Sequence, residues 1–172
     1  MKIERKWAMP SRWTFTILPI RELLHEEVGA PEIGNLWIDP FAGQNSPAQI
    51  TNDLNPESKA DSHLDALEFL KGRATGCAEG ILFDPPYSIS QAAECYRSFG
   101  KEKLEVSVAN MGYWKAVKDE MARILKSGGK AICFGWSSMG LGKNRGFEMT
   151  RILLVPHGGS KNDTICTVEI KL

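Results

Sequence analysis

Residues 81–88 read Ile-Leu-Phe-Asp-Pro-Pro-Tyr-Ser, an apolar run carried straight into a carboxylate, two prolines and an aromatic ring. An ionised carboxylate only accepts hydrogen bonds, and a proline adds a carbonyl without an N–H while fixing φ. Asp84, Pro85 and Pro86 therefore form a group of oriented acceptors with no competing donor, and Tyr87 sets a ring beside them. The plainer reading is a turn in which Tyr87 only packs, but a buried strand leading into the acid favours a working surface at the strand tip. At an ordinary aspartate pKa near ~3.9, Asp84 is expected to be ionised at neutral pH.

Two further carboxylates end short runs that read as strands: Asp39 after residues 35–38 and Asp53 after residues 48–52. Between and beyond them the chain alternates. The spacing predicts helices over 61–71 and 113–125, the second stopped by Ser127-Gly128-Gly129, and strands over 80–83 and 130–134. Residues 149–155 and 164–170 are β-rich runs joined by a polar, glycine-containing connection, so an antiparallel pair is expected at the C-terminal end. This pattern predicts an α/β fold: one Rossmann-like domain over 1–172, mostly parallel, with helices on both faces. Such sheets bind ligands beyond the carboxyl ends of their strands, where Asp39, Asp53 and Asp84 would gather.

Composition sets bounds on partners. The 172 residues carry 21 basic and 21 acidic side chains, so no overall field advertises a polyanion, and only local patches are candidates. Cys77, Cys95, Cys133 and Cys166 lack metal-ligand spacing, as do His25, His63 and His157, and no metal is expected. No signal peptide or membrane-spanning run is read, which points to a cytoplasmic protein without a membrane partner. His157 sits in a loop whose glycines and donors suit phosphate or base contacts, with a structural role as the alternative. Trp136, just after a strand, is a pocket wall or a core residue.

In order along the chain, Asp39-Pro-Phe-Ala-Gly43, Asn52-Asp53, Asp65-Ala-Leu67 and Asp84-Pro-Pro-Tyr87 resemble the motif series of S-adenosylmethionine-dependent DNA amino-methyltransferases. The nearest likeness is to the small adenine-specific enzymes of phages and mobile elements. The resemblance implies a class I methyltransferase domain and transfer of a methyl group to the N6 amine of a flipped adenine. Cytosine N4 is the chemical rival, and a non-catalytic methyltransferase-like binding subunit is the alternative of another class. It implies that Asp84 and the Pro85 carbonyl accept from the amine, with Pro86 completing the motif, while Tyr87 stacks on the base. On the cofactor side it implies Asp39, Pro40, Phe41, Ala42 and Gly43 at the methionine part, Asp53 and Leu54 at the ribose, and Asp65 and Ala66 at the adenine. The segment from Trp7 to Ile20 would close over the methionine end.

The chain departs from that pattern in one place: Gln44-Asn45-Ser46-Pro47 stands where a second glycine is usual. A separate target-recognition domain is not expected. DNA contact is therefore expected from Lys143, Arg145 and Lys161 in glycine-containing connections, or from Arg97, Lys101 and Lys103, or through a second subunit.

Overall fold

The computed structural model describes residues 1–29, 35–100, 111–159 and 161–172. Its centre is a seven-stranded sheet of β1 (Lys2–Arg5), β2 (Trp37–Asp39), β3 (Ile50–Thr51), β4 (Ala78–Phe83), β5 (Leu125–Gly135), β6 (Phe147–Val155) and β7 (Thr164–Lys171), in the spatial order β1-β6-β7-β5-β4-β2-β3. Only β7 runs against its neighbours, pairing antiparallel with both β5 and β6. The expected C-terminal antiparallel pair is present, and the sheet is of the expected mixed, mostly parallel kind. Among the described residues no helix is long and apolar enough to cross a membrane.

Alternation along the central strands explains the two layers. Leu82 of β4 and Ile132 and Phe134 of β5 face α1 (Leu18–Val28), burying Ile20, Leu23 and Leu24. Ile81 and Phe83, with Ala131 and Cys133, face α2 (Ala66–Lys71) and α4 (Met111–Ile124), burying Phe69, Leu70, Val117 and Met121. Gly80 lets Trp37 lie flat on β4: a Cβ there would stand 2.3 Å from the indole. A fourth helix, α3 (Ile89–Ser98), begins directly after Tyr87, with Ser88 as its cap accepting from Gln91 N–H.

Three boundaries differ from the sequence expectation. The helix expected over 61–71 starts at Ala66, because Asp65 accepts from the N–H groups of Leu67 and Glu68 and so caps it. The stretch Ser127-Gly128-Gly129 does not end the helix. α4 stops at Ile124 and the glycines lie within β5, where the register against β4 shifts from Ala78↔Leu125 to Gly80↔Lys130 and Gly128 takes φ 78°. The third is the unexpected β1, parallel to β6 at the sheet edge.

Charge holds that edge in place. Arg151 of β6, with only 8% of its side chain exposed, donates to Glu4 of β1 and to Glu26 and Glu27 of α1 at 2.6–3.1 Å. Glu27 also accepts from Lys130 at 2.9 Å. Removing one partner of a buried ion pair leaves the others desolvated and unpaired. Arg151→Met is therefore expected to lower unfolding free energy by about 3 kcal/mol in urea titrations. An unchanged midpoint would show that packing alone docks β1 and α1.

Candidate functional site

The chain leaves β2 toward β3 on one side and returns as β4 on the other, so the order reverses between β2 and β4. That crevice at the carboxyl edge is where open α/β sheets accept ligands. Asp39 ends β2 and Asp84 directly follows β4, with Ile38 in register with Ile81.

Asp39 is fully buried. One oxygen accepts from Phe41 N–H at 2.9 Å and the other from the Ser46 hydroxyl at 2.6 Å. Burial pushes its pKa up to about 7, its two donors pull the other way, and the charges of Asp84 and Asp53 add to the rise. Ser46 lies in the stretch that replaces the second glycine, so this loop is closed by a hydroxyl rather than by a bare backbone. Sequence reading passed over that residue.

Asn52, also fully buried, is the second organiser that the sequence did not single out for a role of its own. Its amide donates to the carbonyls of Pro40 and Leu64, and its oxygen accepts from Leu64 N–H and the Ser62 hydroxyl. Its backbone accepts from Ala42 and donates to Asp39. The 40–43 loop and the 62–64 segment are thereby clamped to one side chain.

Several motif residues serve as framework. Pro40 and Ala42 are buried, and Phe41 meets the rings of Phe83 and Trp114 at 5.7 and 5.9 Å. Gly43 remains at the crevice with φ 55°, and Trp13 lies over it, 3.7 Å from where a Cβ would stand. The N-terminal segment thus reaches the site at Trp13. Asp53 accepts from Gly43 N–H at 2.9 Å and from Asn55 N–H at 2.8 Å, one on each oxygen. Leu54 packs against Ala92 and Tyr96 of α3. Asp65, besides capping α2, accepts from the Tyr113 hydroxyl at 2.8 Å, while Ala66 is buried at the helix start.

At Asp84 the expectation of an ordinary carboxylate is corrected: burial pushes its pKa up to about 6, against the pull of the hydrogen bond from Tyr87 and of the nearby Thr14 hydroxyl. The Tyr87 hydroxyl donates to Asp84 at 2.5 Å. Burial and the Asp84 charge hold the phenol far above its usual range, so it stays a donor. The Tyr87 N–H donates to Gln91 at 2.7 Å, fixing the backbone at the start of α3. Pro85, Pro86 and Tyr87, with Trp114, Lys118 and Trp136, line a cleft of about 380 Å³. Trp136 is 42% exposed and meets Tyr87 edge to face at 5.8 Å, which makes it a wall of the cleft and not core.

The loop carrying Trp136 is anchored. Buried Glu169 accepts from the N–H groups of Leu141 and Gly142, and Lys118 donates to the Gly140 carbonyl at 2.7 Å. This basic, glycine-containing loop is thus held by contacts within the protein. Arg145 is held by Asp119 and the Leu141 carbonyl, and Lys143 precedes it beside the start of β6, the sheet edge opposite Asp84. His157 is likewise structural, buried with one ring nitrogen bonded to the Ala8 carbonyl and the other to the Thr164 hydroxyl. Lys161 is exposed between β6 and β7, and Arg97 is exposed on α3; Lys101 and Lys103 lie outside the described residues.

No protein-family model and no curated protein sequence matches the chain. Solved structures do. TrmN from Thermus thermophilus is similar over 91% of this chain and 49% of its own, at 16% identity and a TM-score of 0.55. PH0851 is similar over 80% and 43%, at 13% identity and 0.51. TYW2 from M. jannaschii, solved in complex with AdoMet, aligns over 94% and 76% at 10% identity and 0.46. The chain spans about half the length of the first of these and less of the second. At such identities the likeness is one of fold, the Rossmann-like α/β sheet with its antiparallel β7.

The Asp39 shift makes a stability prediction. Its pKa is raised, so between about pH 4 and pH 7 the folded chain keeps a proton that the unfolded chain has lost, and stability drains away as pH rises through that window. Asp39→Asn keeps an oxygen for Phe41 N–H without the charge. The stability difference, variant minus parent, is expected to grow by on the order of 2–4 kcal/mol from pH 4 to pH 8. Urea titrations giving the same difference at both pH values would mean that Asp39 titrates as an exposed acid.

Proposed function

We propose that the chain is an S-adenosylmethionine-dependent methyltransferase acting on the N6 amine of an adenine in DNA. The observation that carries this reading is the joining, in one crevice, of the Asp39–Gly43 loop with its Asp53 partner to the Asp84-Pro-Pro-Tyr87 acceptors on the next strand. The shared fold with the solved structures and the motif order support it.

The donor set fits the cofactor. Gly43 leaves the loop bare beside Trp13. Asp53 has one backbone N–H on each oxygen and retains a lone pair on each for the ribose hydroxyls. Asp65 has three of its roughly four acceptor positions occupied, leaving one for an adenine amine. When bound, S-adenosylmethionine supplies an electrophilic methyl group.

The chain's own task is to hold and aim the amine. An exocyclic amine is a poor nucleophile because its lone pair is delocalised into the ring, so acceptors must draw on its hydrogens. Asp84 accepts one hydrogen on its free lone pairs, and the Pro85 carbonyl accepts the other, with no N–H on Pro86 to compete. Tyr87 helps keep Asp84 ionised by donating to it, and the Tyr87 ring stacks on the extruded base, an interaction worth about 1–3 kcal/mol. The aromatic wall of Trp136 and Trp114 excludes water around it.

Two tests separate the halves of the site. Asp84→Ala is expected to cut methyl transfer at least about a hundredfold with cofactor affinity intact. In the parent, transfer should fall as pH drops through about 6, where Asp84 gains its proton. Parental turnover in the variant, or a rate flat down to pH 5, would remove Asp84 from the chemistry. Asp53→Ala is expected to weaken S-adenosylmethionine binding by about 1.5–3 kcal/mol in calorimetry. Unchanged affinity would restrict Asp53 to holding Gly43.

A further inference from the structure

The neutral charge of the whole chain conceals a segregation at its beginning. Residues 1–13 carry Lys2, Arg5, Lys6 and Arg12 against Glu4 alone. This segment does not stop with β1. Lys6 N–H donates to the Leu154 carbonyl and Ala8 N–H to that of Pro156, so the chain runs on past the end of β6 onto the carboxyl edge. His157 ties it there through the Ala8 carbonyl.

On that edge the arm borders a cleft of about 630 Å³, whose lining includes Trp7, Met9, Ser11, Thr16 and Leu18. Trp7 is 61% exposed and Met9 68%. Trp7 also rests beside the backbone at Gly158, its indole nitrogen 3.5 Å from where a Cβ would stand. The one carboxylate in the lining, Glu22, is neutralised by Lys6 at 2.9 Å. The opposite side of the same 11–16 turn is the catalytic crevice, where Trp13 covers Gly43. Arg12 is exposed and stacked on Trp13, 4.9 Å from the ring centroid, and a stacked guanidinium keeps its N–H edge for a phosphate.

We infer that this arm is the DNA-binding surface, taking the strand next to the extruded base, with Arg5 and Arg12 on phosphates and Trp7 stacked on a neighbouring base. The inference rests on the proposed reaction for the identity of the polymer. Charge complementarity selects its occupant: basic side chains interleaved with an exposed ring suit a polyanion with flat bases. In the alternative basic loop Arg145 is paired with Asp119, and Lys143 precedes it at the other end of the sheet.

Binding of labelled oligonucleotides, followed by fluorescence anisotropy across a salt series, tests it. For a duplex, the double variant Arg5→Ala, Arg12→Ala is expected to flatten the slope of log affinity against log salt by up to about 0.9 per charge removed. Lys143→Ala should keep the parental slope. For a single-stranded oligonucleotide, Trp7→Ala is expected to cost about tenfold in affinity and Trp7→Phe to recover most of it. Thermal midpoints near the parent's would show that the variants fold. Parental slope and affinity in the arm variants overturns the inference. So does a change from dimer to monomer on Trp7→Ala with DNA binding intact, since that assigns the cleft to a second copy. A parent that binds DNA through the arm but transfers no methyl group sustains this inference and removes the proposed reaction; methyl transfer with arm-independent binding does the reverse.

Discussion

The crevice depends on one unfavourable placement, the carboxylate of Asp39 sealed from water at the end of β2. An isolated buried charge is expensive, and here the cost is offset by two donors, the Phe41 N–H and the Ser46 hydroxyl. Those two bonds turn the chain sharply away from the sheet. Once it has turned, Asn52 can span from Pro40 to Leu64, and Asp53 can take Gly43 N–H. Because the series is anchored on two fully buried polar side chains, Asp39 and Asn52, its inner links cannot slip without leaving an unpaired partner. Rigidity at Gly43 and Asp53 is a consequence of desolvation at Asp39.

The same device recurs away from the crevice, where buried charges fix the pieces that border it. Arg151 joins the arm strand and α1 to β6, and through the following residues sets where Trp13 and Thr14 arrive. Glu169, midway along β7, captures two N–H groups of the loop that presents Trp136. Apolar burial gives the two layers of the sheet their adhesion, but it is non-directional. Directional bonds from Arg151, Glu169 and His157 decide where the segments lie once they are adherent.

The sheet was legible in the sequence because its central strands are short apolar runs ending in acids, and a buried strand leaves little else to read. Asp39, Asp53 and Asp84 did gather at one edge. Element ends were less legible. Asp65 looked like a helix residue when its shorter side chain caps the helix, and the Ser127 to Gly129 signal belongs to a bulged strand. β1, with Ile3 exposed and Glu4 paired to Arg151, has no apolar signature, and α3 carries only Ala92 and Tyr96 as buried anchors. The functions of Ser46, Asn52 and Glu169 depend on partners 7, 12 and 28 residues away, which no local pattern displays. The partners of Arg145 and His157 were hidden for the same reason. Basic or imidazole side chains in glycine-containing loops read as available until Asp119, Ala8 and Thr164 are seen to hold them.

The balance at Asp84 has a further consequence for how an acceptor survives in a closing site. Burial raises its pKa to about 6, still below neutral pH, with the Tyr87 hydroxyl donating to it and opposing the rise. Any flat ligand entering the cleft would expel water and push that pKa higher, toward the point where the carboxyl becomes a donor and ceases to be an acceptor only. The donor that resists this shift is the Tyr87 hydroxyl, three residues along the same turn. An acceptor whose proton donor belongs to its own turn keeps that donor as its surroundings become dry, and so resists losing its charge.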